Sequence, residues 1–429
     1  MDPAIITLCV LAVAAFLFVT ELIPLAVTAM AACTALGILG VLPSKQVYAG
    51  LSNSTVVLFG GMFVIGAAMF KTGLAEAIGV AVVKKAGTNE IPLMAAIMLV
   101  TIVLSSVSSN TGTVACLMPV IIGICQAAKI PASKELMPLA IAANVGGTIT
   151  MIGTPPNVIV TGALAAAGLP TFGFFEFAKI GIPLSIIILL YTLFVGRHFL
   201  PVHNAGDMDE EAVKAAKEEA GSAGDAPKSK TKMWISGLIL IGVVVCMALG
   251  LKNLPLHTAA VTGAILCVIT GCLKEKEAYA GIDWVTIFLF AGMLSVATAM
   301  DKTGAGKLIA DTVVGMMGSN PNPYVLTTVL FLISNILTQF MSNTASAALL
   351  APIGISIAQS IGVDPKPVLM ALGIAASCAF ATPMATPPNT LVLGPGNFTF
   401  NDYVKVGVPM CVLSLVVSVI IIPIMWPFH

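Results

Sequence analysis

Along this chain, long runs of apolar residues alternate with short breaks where hydroxyl, amide, glycine and proline residues gather. Runs such as AIITLCVLAVAAFLFVT (4–20) and MWISGLILIGVVVCMALG (233–250) are long enough to cross a hydrocarbon core of about 30 Å as helices. A barrel would show weak alternating segments of about ten residues instead. In the first half the pattern predicts spans over 4–20, 26–42 and 54–70, then an apolar pair over 92–108 and 112–128. A helix over 135–152 breaks and resumes to 168, and a last span covers 178–196. The second half repeats the pattern at 234–250, 256–272 and 283–300, with another apolar pair, a break at 386–389 and a span over 404–426.

The halves are copies. YAGLSNSTVVLFGGMF (48–63) aligns with YAGIDWVTIFLFAGML (279–294), so that Tyr48, Ala49, Gly50, Phe59 and Gly61 recur 231 positions later. FKTGLAEAI (70–78) meets DKTGAGKLI (301–309) at the same offset, SNT recurs at 233, TPPN at 232, and KIGIP (179–183) answers KVGVP (405–409). Chance does not set so many landmarks in one order. Between the copies lies a polar, charged stretch rich in Ala, Gly and Ser, which reads as a solvated linker. The chain therefore divides into a first repeat (1–200), a cytoplasmic linker (201–232) and a second repeat (233–429).

If the apolar pair in each half is a re-entrant hairpin, a half crosses the membrane five times, and the odd number inverts the second half. Two full spans per pair would keep that parity, so hydropathy leaves the hairpin open. With the linker inside, fourteen of the twenty basic residues fall on the cytoplasmic side, and Lys45, Lys179, Lys252, Lys302, Lys307 and Lys366 fall outside. The expected fold is an all-α integral membrane protein of two inverted-topology repeats, each with about five transmembrane helices, a re-entrant hairpin and a broken helix.

Composition agrees: 58% of residues are hydrophobic and 9% charged, with mean hydropathy +1.02, against roughly 25% charged in a soluble domain. The net charge is zero, which points to no nucleic-acid partner. The nine cysteines stand singly in apolar segments and read as small buried hydrophobes. A cleaved signal peptide is not expected, because no basic region precedes the first apolar run.

The chemistry lies in the breaks. SSNTGT (108–113) and MSNTAS (341–346) interrupt the apolar pairs, and TPPN interrupts the broken helices at 154–157 and 386–389. In lipid, irregular backbone survives only where protein buries it or where it lines a cavity. The double prolines remove amide donors and push the preceding threonine out of the helical region, freeing carbonyls around Met151–Gly153 and around Met384 and Ala385. Freed carbonyls, Asn oxygens and hydroxyls make a neutral oxygen cage suited to a hard cation such as Na⁺. Helices restarting at Thr111, Asn157, Thr344 and Asn389 would aim four N-termini at one anion, and no Lys or Arg stands in these motifs. Alone, either motif reads as a kink or a packing feature; its repetition in both halves raises it to a site. The KTG segments at 71–73 and 302–304, with the amphipathic helix after each, read as interfacial elements. Glu21, Asp283 and Asp364 read as span-end residues, and His198, His203, His257 and His429 as loop or interface residues.

With SNT and TPPN each paired in this way, the chain resembles the divalent anion:sodium symporter family over nearly its whole length. The resemblance implies a homodimeric, elevator-type carrier in the cell membrane that takes up a small dianion with Na⁺. It implies two sodium sites, one at Ser105, Ser109, Asn110 and Gly153 and the other at Thr338, Met341, Asn343 and Ala385. It also implies a substrate site lined by Ser109, Asn110, Thr111, Thr154, Ser342, Asn343, Thr344, Thr386 and Pro387.

Sodium-coupled uptake of a C4-dicarboxylate such as succinate, malate or fumarate is the leading expectation. The alternative is a sodium-independent exchanger, or a sulfate or citrate carrier of the same fold. Proton coupling is disfavoured because no Asp or Glu sits beside either break. An intramembrane hydrolase would need HExxH or paired membrane-depth aspartates, and the sequence carries neither.

Overall fold

The computed structural model describes residues 2–87, 89–128, 130–202, 229–251, 253–317 and 322–428. Most of the linker, with His203, Lys252 and His429, lies outside the described residues. Every regular element described is a helix. The first repeat runs α1 (Pro3–Thr20), α2 (Leu25–Ile38), α3 (Ser44–Val47), α4 (Ser54–Lys71), α5 (Leu74–Ala86), α6 (Glu90–Val107), α7 (Asn110–Ala128), α8 (Ser133–Gly146), α9 (Pro155–Ala166) and α10 (Ala178–Phe194). The second runs α11 (Lys230–Leu249), α12 (Leu256–Ile269), α13 (Glu275–Ala280), α14 (Trp284–Thr303), α15 (Ala305–Met317), α16 (Pro323–Leu337), α17 (Asn343–Ser360), α18 (Pro365–Ser377), α19 (Pro387–Leu393) and α20 (Phe400–Met425).

Local chemistry sets the ends of these helices. Asp2, Asn53, Asp283 and Asp364 each accept a backbone N–H from the first turn that follows. Two of the acidic residues read as span-end residues are therefore helix caps, and Glu21 closes α1 in the left-handed region. Gly73 and Gly304, the glycines of the two KTG motifs, adopt φ of 80° and 73° and open α5 and α15. The predicted spans hold with shifted edges: α2 stops at Ile38 and α8 at Gly146, short of the expected 42 and 152. The short α3 and α13 were not read from the sequence, since one or two turns carry no periodic signal.

Two sets of helix contacts stand out, joined to each other where α15 and α14 pack on α17 and α5 packs on α6. An outer unit crosses the repeats, with α2 packed on α14 and α4 on α12. Its symmetric glycines explain part of the repeat: a methyl on Gly61 would lie 2.7 Å from the Ala260 carbonyl carbon, and one on Gly292 the same distance from that of Ala29. Only glycine allows backbones this close. The inner unit holds α6–α10 and α16–α20, with α6 on α8, α16 on α18, α9 on α17 and α18, and α19 on α7 and α8.

The hairpin is re-entrant. Ser108 turns extended between α6 and α7, and the tip ends against Gly147 and Gly153, at the break midway along α8 and α9. Polar ties also respect the inverted topology. Lys71–Glu277 (3.4 Å) and Lys134–Glu90 (2.9 Å) join residues assigned to the linker side. Lys366–Glu176 (3.3 Å) and the Lys302–Gln46 hydrogen bond (2.6 Å) join residues assigned to the opposite side. Trp426 adds to that outer cluster, donating its indole N–H to Glu176 at 2.6 Å.

Candidate functional site

The two breaks are built alike. Asn157 donates its amide to the Gly147 and Thr150 carbonyls (3.3 and 2.9 Å), and Asn389 donates to those of Ala379 and Thr382 (3.1 and 2.9 Å). Thr150 donates to the Ser106 carbonyl, and Thr382 to that of Gln339 at 2.5 Å. Two expectations are corrected here. The helices restart at Asn110 and Asn343, one residue earlier than read, and at Pro155 and Pro387, two residues earlier, in the latter pair because proline's fixed φ suits the first helical position. The asparagines of TPPN face the break rather than the cavity and bind carbonyls of Gly147, Thr150, Ala379 and Thr382, not those the prolines free, so their oxygens do not join a cation cage.

The hairpin tips are equally matched. The Ser105 hydroxyl lies 2.5 Å from Asn110 Oδ1 and 2.7 Å from the Ala143 carbonyl, and that of Thr338 lies 2.6 Å from Asn343 Oδ1 and 3.0 Å from the Ala376 carbonyl, each with one proton to give to one of its two neighbours. The inward atom of the Asn110 amide also lies 3.0 Å from Gly153 O and 3.2 Å from Ala143 O. As oxygen it completes a group of four oxygens; turned over, its nitrogen donates to those same neighbours. Oxygens adjacent in a hard cation's shell lie roughly 3.3–3.7 Å apart, so a cation fits only once the Ser105 hydroxyl draws away from its two neighbours, now at 2.5 and 2.7 Å, by about 0.6–1.2 Å. The carbonyls of Ala143 and Ala376 were not predicted, since a backbone oxygen leaves no mark in a sequence.

Both tips and both breaks meet at one cavity of about 960 Å³. All nine residues expected at the substrate line it: Ser109, Asn110, Thr111, Thr154, Ser342, Asn343, Thr344, Thr386 and Pro387. Of those expected at cations, Gly153 and Ala385 line it too, while Ser105 and Thr338 lie fully buried behind their asparagines. Met341 is buried in its tip and does not line the cavity, and the Ser109 hydroxyl accepts the Gly112 N–H at 3.3 Å rather than joining the Asn110 group. Of the four helices expected to aim at the site, α19 has only seven residues, because Gly394-Pro395-Gly396 ends it. A helix that short contributes little dipole.

The cavity opens on the linker side, where Glu21, Lys71, Glu277 and Asp283 form its rim. The Lys274 backbone N–H and the Lys71 ammonium hold the Glu277 carboxyl below its ordinary pKa. Lys71, the lysine of the first KTG segment, is the basic residue that lines the cavity, and it stands at the rim rather than at the tips. Asn144 of α8 also lines the cavity, buried to 1% exposure, and its amide donates to Thr386 Oγ1 (3.1 Å) and Asn389 Oδ1 (3.0 Å). Sequence reading passed over it.

The family described as citrate transporter matches residues 15–366 and 340–428. The chain belongs to that family. An uncharacterized transporter of Haemophilus influenzae is 31% identical over 426 residues, covering 96% of this chain and 89% of the relative. The sodium-dependent dicarboxylate transporter SdcS of Staphylococcus saprophyticus is 26% identical over 440 residues, covering 96% and 84%. Among solved structures, the Alcanivorax borkumensis YdaH transporter aligns with a TM-score of 0.66 at 15% identity over 100% of this chain and 99% of that one. Neisseria gonorrhoeae MtrF, an antimetabolite efflux pump, gives 0.63 at 18% identity over 91% and 84%. This citrate-family chain is thus a multi-pass protein of the cell membrane with a transporter's inverted-repeat fold.

Proposed function

We propose that this transporter couples Na⁺ to the uptake of a divalent anion, with a C4-dicarboxylate such as succinate, malate or fumarate as substrate. The observation that carries the reading is the pair of matched tips, in which the hydroxyls of Ser105 and Thr338 each lie within hydrogen-bond distance of a tip amide oxygen, Asn110 or Asn343, and of a carbonyl near the end of a broken helix. Two neutral oxygen groups flanking one cavity suit two cations and, between them, an anion. Hydroxyl and amide groups of both SNT motifs line that cavity and can donate to a carboxylate at each end. The naming of SdcS as sodium-dependent and dicarboxylate-transporting supports this. The division into inner and outer units suits an elevator, with the inner unit carrying the site across a homodimeric scaffold. The test is succinate uptake into proteoliposomes with and without an inward Na⁺ gradient, membrane potential clamped. Uptake should rise sigmoidally with Na⁺, and indifference to Na⁺ would sink the coupling.

Sodium-independent exchange is the second reading, favoured by Asn110 itself. With its nitrogen inward, the amide fills the oxygen group through hydrogen bonds to Gly153, Ser105 and Ala143, and no cation is needed. Uptake driven by internal dicarboxylate alone, at zero Na⁺, would establish it.

A further inference from the structure

One of the residue pairs in which the two halves of the site differ changes the bonding between them. Asn144 and Ser377 stand at matching positions after Ala143 and Ala376, whose carbonyls take equivalent bonds from the tips. Ser377 spends its hydroxyl within its own helix, on the Gly373 carbonyl at 2.8 Å. Asn144 instead reaches across to the other repeat, donating to Thr386 Oγ1 and Asn389 Oδ1. Its orientation is fixed by what it meets. Asn389 already gives its amide N–H groups to Ala379 O and Thr382 O, so only its oxygen faces Asn144, and Asn144 must present nitrogen.

Thr386 Oγ1 therefore accepts twice, from the Asn144 side chain and from the Asn389 backbone N–H (3.4 Å). A hydroxyl oxygen has two lone pairs and one proton. With both lone pairs engaged, the Thr386 proton can only be donated, and no hydrogen bond among the described residues takes it up. Thr386 faces the cavity. Thr154, its partner in the first repeat, makes no cap bond with its own helix and receives nothing from Ser377. Its hydroxyl stays free to rotate.

We propose that Asn144 is a positioning residue that turns Thr386 into the fixed hydrogen-bond donor of the site. One end of the anion is gripped by a preset hydroxyl, and the other end meets the rotatable hydroxyl of Thr154. The inference rests on the anion-transport reading above and adds to it a polarity: the site binds its substrate by unequal ends. A donor aimed in advance pays no ordering cost on binding, and its bond to a charged oxygen is stronger than one between neutral groups.

The experiment is a double-mutant cycle in the full chain reconstituted in proteoliposomes, using Asn144→Ser, Thr386→Val and both together, with succinate as probe. Asn144→Ser installs the residue the other repeat uses. At saturating Na⁺ it should raise the KM for succinate about tenfold or more, while half-saturation by Na⁺ stays within about twofold, because the Ser105–Asn110 group is untouched. Thr386→Val should cost at least as much and Thr386→Ser should restore most of it. The double variant should be no worse than Thr386→Val alone, since the residues act as one unit. If Asn144→Ser does not fold, Asn144→Asp, of the same shape but unable to donate, replaces it in the cycle. Additive losses, or a KM unchanged in the Asn144 variant, would overturn the assignment of Asn144. Wild-type protein that gains no thermal stability from succinate, citrate or sulfate with Na⁺ would overturn the anion reading itself, and this inference with it.

Discussion

The first and second helix breaks carry the same four residues, TPPN, yet they sit in different surroundings. Each uses its asparagine to bind two carbonyls of its own break, so the irregular backbone in both is held by the chain's own chemistry. Beyond that they part. Asn389 also receives a bond from Asn144, whereas the matching oxygen of Asn157 is buried and has no partner among the described residues. The second break leads into seven helical residues and the first into twelve. Symmetry thus fixes where the site lies and leaves each half free to take a different part in binding.

The largest effect should come from the tips, where the halves are equal. Asn110→Ala and Asn343→Ala should each lower concentrative succinate uptake by about a hundredfold or more, because each removes the one amide oxygen in its group. Both proteins should stay folded by thermal unfolding in detergent, and normal transport by either would break the assignment. Next comes the contrast itself. Asn389→Ala removes the side-chain donor from the Ala379 and Thr382 carbonyls, and Asn157→Ala removes it from those of Gly147 and Thr150, the last keeping a long bond from the Gly153 N–H (3.4 Å), at about 1–3 kcal/mol per unsatisfied group. Asn389→Ala also leaves one N–H of the Asn144 amide without its acceptor, so its melting temperature should fall further, and equal falls would show that the Asn144–Asn389 bond contributes nothing. Ser377→Asn is the reverse experiment: an amide there would give Asn157 Oδ1 its missing donor and raise stability by about 1 kcal/mol. A lower melting point would show that the first break has no room for the second break's arrangement. Smallest of all should be Lys71→Gln. The Lys71–Glu277 pair is about one-third exposed on both sides, and such pairs contribute about 0–1 kcal/mol, so unfolding should shift little.

Much of this architecture is legible in the sequence because the repeat is written twice. SNT and TPPN recur at fixed offsets, and the glycines of YAG and FGG mark the close backbone approaches of the outer unit. What escaped reading was of two kinds. Carbonyls such as Ala143 and Ala376 belong to residues whose side chains say nothing about them. Asn144 stands in IAANVGG, where its neighbours suggest only small-residue packing, and its partners Thr386 and Asn389 lie more than two hundred positions away. The exact restart of each helix was also misplaced, because proline was read as a breaker before it was read as a first-turn residue.

The exchange of partners in the outer unit has a consequence for how the protein is made. Because α4 packs on α12 and α2 on α14, the early helices leave the ribosome with glycine-lined faces whose complements do not yet exist. From the end of α4 to the end of α12 about 200 residues must be synthesised, which at about 5–20 residues per second takes roughly ten to forty seconds. During that interval α2 and α4 rest in the bilayer without the partners on which they pack in the finished protein. The second repeat, arriving upside down, supplies them, so assembly of the two halves is a joint event and neither is a finished unit by itself. Two halves synthesised as separate polypeptides should for the same reason find each other in the membrane.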